Sequence, residues 1–401
     1  MDAKEPFFQS VNCKNAAKEW ENGIGNFEDR LFESDHALLG TCNLHAKMRG
    51  LDRCPVLFIA TEDCESSVAR LVQETAAETA IGFLICLTEK AFQRFADSQS
   101  IPRYRVLVLS PSDQRLVVQN RGYLLHLVRK QIPFRKLIPF SISDPPSSTM
   151  FVGRASELRS LVDENQDFAL CGPGGIGKTS LLHQMQRTLR LERSPRASRI
   201  VVVDLIRHSD PYTAATEIAW RVQPTPRSYD KVGLENLEMF LKHVKSTDIR
   251  FHDGPIDLII DEADAVLEGD SLDEDFNGKP FPLMRCLRHL RNLGTCRLTL
   301  SGRTKTAELI RSPANPFAVG SNTDEVWISR IKLLPIGPLL DCEAKQLLLQ
   351  PFEDLGVLNA SLSEQILAQL KQCQGIPNRI QNAGLDIANQ VARDLDRERS
   401  T

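Results

Sequence analysis

No apolar run in this chain approaches the roughly 20 residues that a membrane-crossing helix requires. Its opening, "MDAKEPFFQSVNCKN", lacks the apolar centre of a signal peptide. A membrane-embedded or secreted protein is thereby set aside, and a cytoplasmic one without membrane contact is expected. Positive charge is not in excess either. Lys and Arg number 49 against 52 Asp and Glu, for a formal net charge of −3 and a pI near 6.3. No chain-wide basic field advertises nucleic acid, although a local basic face is compatible with that total. Internal repeats and long low-complexity tracts are also missing, which sets aside solenoid architectures. Ten cysteines are present. In a reducing compartment they are expected as buried thiols rather than disulfides.

What the 401 residues do contain is a globular composition, 42% hydrophobic and 25% charged, in a chain long enough for two or three domains. The stretch "SISDPPSSTM", Ser141 to Met150, joins two prolines to small polar residues and reads as a linker. Before it, "PVLFIA" (Pro55–Ala60), "IGFLIC" (Ile81–Cys86) and "YRVLVLS" (Tyr104–Ser110) read as buried strands. Between them, "CESSVARLVQETAAETA" and "TEKAFQRFADS" read as helices. This alternation predicts a Rossmann-like α/β domain over residues 1–145. After the linker, "DFALCG", "RIVVVDLI", "PIDLIIDEAD", "CRLTLSGRT" and "EVWIS" supply further strands. Helical stretches such as "ENLEMFLKHVKS" lie between most of them, which predicts a doubly wound parallel sheet over residues 146–332. From Asp341 the strand signal stops. "DCEAKQLLLQPFEDLG", "LSEQILAQLKQC" and "NRIQNAGLDIANQVARDL" read as three helices, a small helical domain over 333–401.

The most specific motif is "CGPGGIGKTS", Cys171 to Ser180. From Gly172 to Thr179 it fits G-x-x-x-x-G-K-[ST], between an apolar strand and an amphipathic helix. Glycines allow successive backbone N–H groups to turn inward onto phosphate oxygens, and the following helix N-terminus adds partial positive charge. Gly172, Pro173, Gly174, Gly175, Ile176, Gly177, Lys178, Thr179 and Ser180 are therefore the expected nucleotide cradle. Lys178 reaches the β- and γ-phosphates and the Thr179 hydroxyl is a ligand for Mg²⁺. In "LIIDEAD", Asp261 emerges at the carboxyl end of a buried strand, where open α/β sheets place ligands. Asp261 is the expected Mg²⁺ holder, and Glu262 the acceptor of a proton from the attacking water. Arg303 leaves the next strand, "LTLSGRT", where a γ-phosphate would sit. A plain surface arginine is the competing reading, and Ser301 is a weaker polar alternative for the same role. The expected cofactors are ATP and Mg²⁺.

In order, "FVGRASEL", "GPGGIGKTS", "LIIDEAD", "LTLSGRT" and "CQGIPNRIQ" resemble the motif series of AAA+-related STAND and archaeal-type P-loop ATPases, the NACHT- and NB-ARC-related group. The resemblance covers about Met150 to Val391. It implies that Val152, Gly153 and Arg154 lie beside adenine and ribose, and that Pro377 of the G-x-P box packs near adenine. It places Arg379 where some relatives carry a second sensor arginine, against the plain reading of a helix-start arginine. The full-length signalling members carry a winged helix, repeat array or carboxy-terminal sensor after the helical segment. None is expected here, so the sensing surface is expected elsewhere or on another protein.

The amino-terminal third carries no comparable motif. Cys42, His45, Cys54 and Cys64 have partly metal-like spacing, but the second pair makes no compact knuckle, and buried thiols are the simpler reading. Glu62, Asp63 and Lys90 are the acidic and basic groups a nuclease centre would need, without a convincing arrangement. "RGYLLHLVRKQIPFRKLIPF" is a basic stretch in which Arg121, Arg129, Lys130, Arg135 and Lys136 can meet phosphates or simply solvate a docking helix.

Three functions follow. The first is a Mg²⁺-dependent, slow regulatory ATPase switch that self-associates on ATP and meets a protein partner through residues 1–145. For it the resemblance suggests bacterial defence as a setting. The second is a DNA-associated AAA+ ATPase akin to transposition regulators or initiator-type loaders. The mildly acidic balance weighs against that one. The third is an ATP-bound scaffold without turnover, against which intact Lys178, Asp261 and Glu262 argue.

Overall fold

The computed structural model describes residues 13–23, 25–33, 37–44, 54–77, 81–96, 98–102, 105–140, 150–164, 166–192, 199–222, 256–274, 279–312, 314–316 and 331–400. The linker expected before Met150, the helix "ENLEMFLKHVKS" and the strand "EVWIS" lie outside the described residues. The chain divides into two compact units. One comprises Met1–Val152, Cys342–Cys373 and Ile380–Thr401, and the other Gly153–Asp341 with Gln374–Arg379.

The amino-terminal part of the first unit runs α1 (Cys13–Gly23), β1 (Gly25–Glu33), β2 (Ala37–Leu44), β3 (Cys54–Ile59), α2 (Glu65–Ala77), β4 (Gly82–Cys86), α3 (Glu89–Ala96), β5 (Val106–Leu109), α4 (Pro111–Gln119) and α5 (Arg121–Gln131). Its sheet has the order β1-β2-β3-β4-β5. β3, β4 and β5 are parallel, as the alternation predicts. Two antiparallel strands precede them, which sequence periodicity does not reveal. β1, "GNFEDRLFE", is rich in charge, and its register slips between Phe27 and Asp29 and again between Arg30 and Phe32. Such bulges at a sheet edge erase the period-2 signal. β3 and β4 are buried on both faces because helices cover both. Trp20 of α1 lies edge-on to Phe58, with centroids 6.0 Å apart, and also meets Phe83. Leu57, Ile59, Leu84 and Cys86 enter a core shared with Val68 and Leu71 of α2 and Ala91 and Phe95 of α3.

The second unit runs α6 (Ala155–Asp163), β6 (Asp167–Cys171), α7 (Lys178–Glu192), β7 (Arg199–Asp204), α8 (Pro211–Val222), β8 (Ile256–Asp261), α9 (Asp264–Leu272), α10 (Pro282–Asn292), β9 (Cys296–Gly302), α11 (Thr304–Arg311) and β10 (Ile331–Pro335). Every pairing in its sheet, ordered β10-β6-β9-β8-β7, is parallel. β10 is a strand that sequence reading does not name. It lies at the sheet edge, with one of its five residues buried, so it lacks the apolar run of an interior strand. Its Lys332 pairs with Glu164 at 2.7 Å. Two further ion pairs, Asp167 with Arg291 at 3.1 Å and the fully buried Asp257 with Arg297, join it at the amino ends of the strands. These charges clamp the end of the sheet away from the glycine-rich loop.

Asp270 of α9 is fully buried, and its carboxylate accepts the N–H groups of Leu283 (2.7 Å) and Met284 (3.0 Å), capping α10 from another element. Burial pushes this carboxyl up to about 7, although the two N–H donors oppose the shift. A raised folded-state value means that the native protein retains a proton the unfolded chain releases. This group's contribution to stability is therefore lost as pH rises from about 4 through about 7. Asp270→Asn imitates the protonated form. Urea melts should show the variant gaining on the wild type across that window, and a pH-independent difference would refute the assignment.

After β10 come α12 (Asp341–Asp354), α13 (Ala360–Cys373) and α14 (Pro377–Ser400), the three helices expected from sequence. Except for the turn Gln374–Arg379, residues from Cys342 on group with the first unit. There Phe140 packs on Phe352 with ring centroids 5.5 Å apart. It also occupies the space beside Gly384, where a Cβ would stand 2.5 Å from its ring. No helix among the described residues is long and apolar enough to cross a membrane.

Candidate functional site

The loop between β6 and α7 holds its shape through two glycines at positive φ, Gly175 (73°) and Gly177 (91°), a conformation that other residues adopt only with strain. Gly172 is required by space, since a Cβ there would stand 2.5 Å from the carbonyl oxygen of Ile336. Ile176, 1% exposed, pins the loop to the core, while Pro173, Gly174 and Gly175 stay open to solvent. Lys178 is buried at the first turn of α7, and its Nζ donates to Gly172 O (2.9 Å) and Pro173 O (3.1 Å). Thr179 and Ser180 follow it, half-buried.

β8 delivers Asp261 to the same end of the sheet. Its Oδ1 accepts the Ser301 hydroxyl from neighbouring β9 and the Glu262 N–H at 3.0 Å. Ser301 is thus a support for Asp261. Glu262 sits at φ 52°, the left-handed region, which costs a non-glycine residue on the order of 1 kcal/mol. Desolvation, and then repulsion from Asp261, hold its carboxyl above the ordinary range. Arg303 follows β9 with its side chain exposed, and its backbone N–H donates to Asp264 Oδ1 at 2.6 Å. The same oxygen accepts the Thr306 hydroxyl at 2.6 Å, so Asp264 caps α11 and fixes the point from which Arg303 projects. Gly302 permits this approach, because a Cβ would stand 2.0 Å from Thr306 Oγ1.

The first turn of α14 closes on the loop. Asn378 N–H donates to Gly175 O at 3.1 Å, and the Pro377 ring lies 3.5 Å from the position of a Gly177 Cβ. Leu339 N–H donates to Gly375 O at 2.8 Å, and Gly375 itself has φ 68°. Arg379 is exposed and donates to Gln374. Of the residues nominated beside adenine and ribose, Val152 is buried and Gly153 takes φ 75°. Arg154, also left-handed at 61°, is buried. Its guanidinium donates to Ile176 O and Gly337 O and pairs with Glu157. In this conformation Arg154 braces the loop.

A nucleotide fits this arrangement. The cradle has space above Gly174, with no atom within 4 Å of a Cβ built there, and a lysine that can exchange two carbonyls for phosphate oxygens. Mg²⁺ would be held by Thr179 and Asp261 together with phosphate and water oxygens, as suits a hard cation that keeps much of its hydration. Sequence reasoning missed Asp264, Asn378 and His183. His183 lies on α7 within the electrostatic reach of Asp261, and burial lowers its pKa. Asp264 and Asn378 stand inside the quoted motifs "LIIDEAD" and "GIPNR", but their roles are set by pairings across the fold.

In the amino-terminal third, Cys54 and Cys64 are buried thiols outside any disulfide. The Cys42 side chain and His45 lie outside the described residues. Glu62 and Lys90 share an open cleft with Gln93 and Arg94. Among the described residues no three His, Cys, Asp or Glu side chains converge as metal ligands. The side chains of Arg121 and Lys136 also lie outside the described residues.

Residues 163–310 match the family model of an AAA domain. The matched segment contains the loop, Asp261, Glu262 and Arg303, whereas Pro377 and Asn378 lie beyond it. No curated protein matches the chain. Among solved structures, it is similar to the Aeropyrum pernix ORC1 protein in complex with DNA (18% identity, 62% of this chain and 61% of that one, TM-score 0.42). Others are the Aeropyrum pernix ORC2 protein with ADPNP and ADP (15%, 61% and 64%, 0.43) and the S. cerevisiae Hsp104–ADP complex (16%, 62% and 33%, 0.36). The chain therefore spans less than two thirds of the length of each of these structures.

Proposed function

We propose that the chain is a Mg²⁺-dependent ATPase whose nucleotide state controls self-association and partner binding. The observation that supports this most is the closure of the Pro377–Asn378 turn on Gly175 and Gly177, the glycines that shape the phosphate loop. Phosphate bound to the loop N–H groups acts on the same peptide units that hold Asn378. In this reading Lys178 leaves its two carbonyls for the β- and γ-phosphates. Glu262 takes a proton from water as the water oxygen bonds to the γ-phosphorus and the bond to the ADP oxygen breaks. When bound, Mg²⁺ supplies charge to offset that developing on the phosphates. Arg303 faces the γ-phosphate, which ADP lacks, so the two nucleotides differ in contacts and can shift a conformational equilibrium.

The test is sedimentation of the purified chain with Mg²⁺ and either ADP or a non-hydrolysable ATP analogue. A heavier species with the ATP analogue is expected. Unchanged mass in both would overturn the switch while leaving nucleotide binding to be scored separately. A DNA-associated ATPase is the second reading. It would instead show DNA binding that requires ATP and weakens steeply with salt. The defence setting remains a proposal carried by the resemblance alone.

A further inference from the structure

A cleft of about 600 Å³ lies within the first unit, formed by α13, α14 and the turn Phe134–Lys136. That volume suits a small-molecule ligand. Two guanidiniums line it, Arg135 and Arg393, against one carboxylate, Asp386. Arg135 belongs to the basic stretch that the nucleotide site leaves unexplained. The walls carry amides. Gln365 and Gln369 come from α13 and Gln390 from α14, and Gln365 Nε2 donates to Gln390 Oε1 at 3.0 Å across the cleft. Ala383 and Ile387, one turn apart on α14, are its apolar lining.

Each part selects a chemistry. Two guanidiniums in one cleft suit a multiply charged oxyanion such as a diphosphate, whose oxygens their planar donors bind two at a time. Amides offer donors and acceptors together, the complement of a heterocycle's edge. An aliphatic strip accepts the face of a flat ring. A purely apolar ligand is excluded by the walls, and a bare anion would leave the amides and the strip unused. We propose that this cleft is a second, P-loop-independent binding site for a nucleotide. Every residue that lines it belongs to the first unit, whereas Lys178 and the phosphate loop belong to the second.

Equilibrium dialysis of the full-length chain with labelled ADP tests this. The wild type is expected to bind two ADP, Lys178→Ala to keep one, and Lys178→Ala with Arg135→Gln and Arg393→Gln to lose at least tenfold in affinity for that one. Both arginines are exposed, so the substitutions should fold, and the thermal melt checks it. Equal ADP binding by Lys178→Ala and the triple variant overturns the proposal. So does a wild type that binds one ADP and a Lys178→Ala chain that binds none. Inorganic phosphate displacing ADP from Lys178→Ala as effectively as ADP itself would mean a bare-anion site, which also overturns it. A Lys178→Ala chain that binds as many ADP as the wild type would instead sink the P-loop reading and leave this one standing.

Discussion

Lys178→Ala is expected to cut ATP turnover at least about a hundredfold and to remove one bound nucleotide per chain. The lysine is 5% exposed, and its ammonium already rests between two loop carbonyls. Both features keep the charge beside the phosphate loop before any ligand arrives. Alanine removes the single buried cation in the loop and leaves the Gly172 and Pro173 carbonyls without that donor. Neighbouring N–H groups cannot replace it, because they carry partial charges on a fixed backbone. Lys178→Arg should restore little, since a planar guanidinium does not fit a space shaped for an ammonium. Steady-state hydrolysis and dialysis read both effects. A variant with near-normal turnover would show that the loop does not hold the reacting phosphates.

The second large effect should come from Glu262→Gln. Turnover is expected to fall by about 10² to 10⁴, the usual worth of a positioned base, with nucleotide occupancy kept. Glutamine preserves shape and polarity but cannot take the proton. The raised carboxyl of Glu262 makes it a better base than an ordinary glutamate, and its left-handed backbone fixes the direction from which it acts. Because repulsion from Asp261 contributes to that elevation, Asp261→Asn should lower the Glu262 value as well as weaken Mg²⁺ binding. If Glu262→Gln hydrolyses ATP at the wild-type rate, its assignment as base fails.

Much of this site could be read in the sequence because its parts are local. Gly175, Gly177 and Lys178 fall within four residues, and Asp261 and Glu262 follow the apolar run Leu258–Ile260 of β8. The strands most legible in the sequence are those with long apolar runs, β3 and β8 buried throughout and β7 only partly buried at its sheet edge. β1 and β10 escaped sequence reading because neither carries a continuous apolar run, and interior β2 escaped it because Gly40, Thr41 and Asn43 interrupt its apolar residues. The buried Asp257–Arg297 pair could not be foreseen, since each residue alone reads as a solvated charge and only strand register brings them together. Asp264 and Asn378 escaped for the same reason. Their partners, Arg303 and Gly175, are distant in sequence. Arg154, nominated by resemblance for adenine and ribose, is engaged with loop carbonyls, a detail no motif encodes.

The packing of Phe140 beside Gly384 has a consequence for the order of synthesis and folding. These partners stand roughly 240 residues apart, so the entropy of closing that loop falls on the first unit alone. Residues 163–310 are contiguous and emerge from the ribosome together. Their strands β6 to β9 can pair while Phe140 is still waiting for α14. Until then the apolar surface around Phe140 has no cover, and it is the natural target for a chaperone or for aggregation. Refolding from denaturant should accordingly be biphasic, with pairing of β6 to β9 recovered before α14 docks.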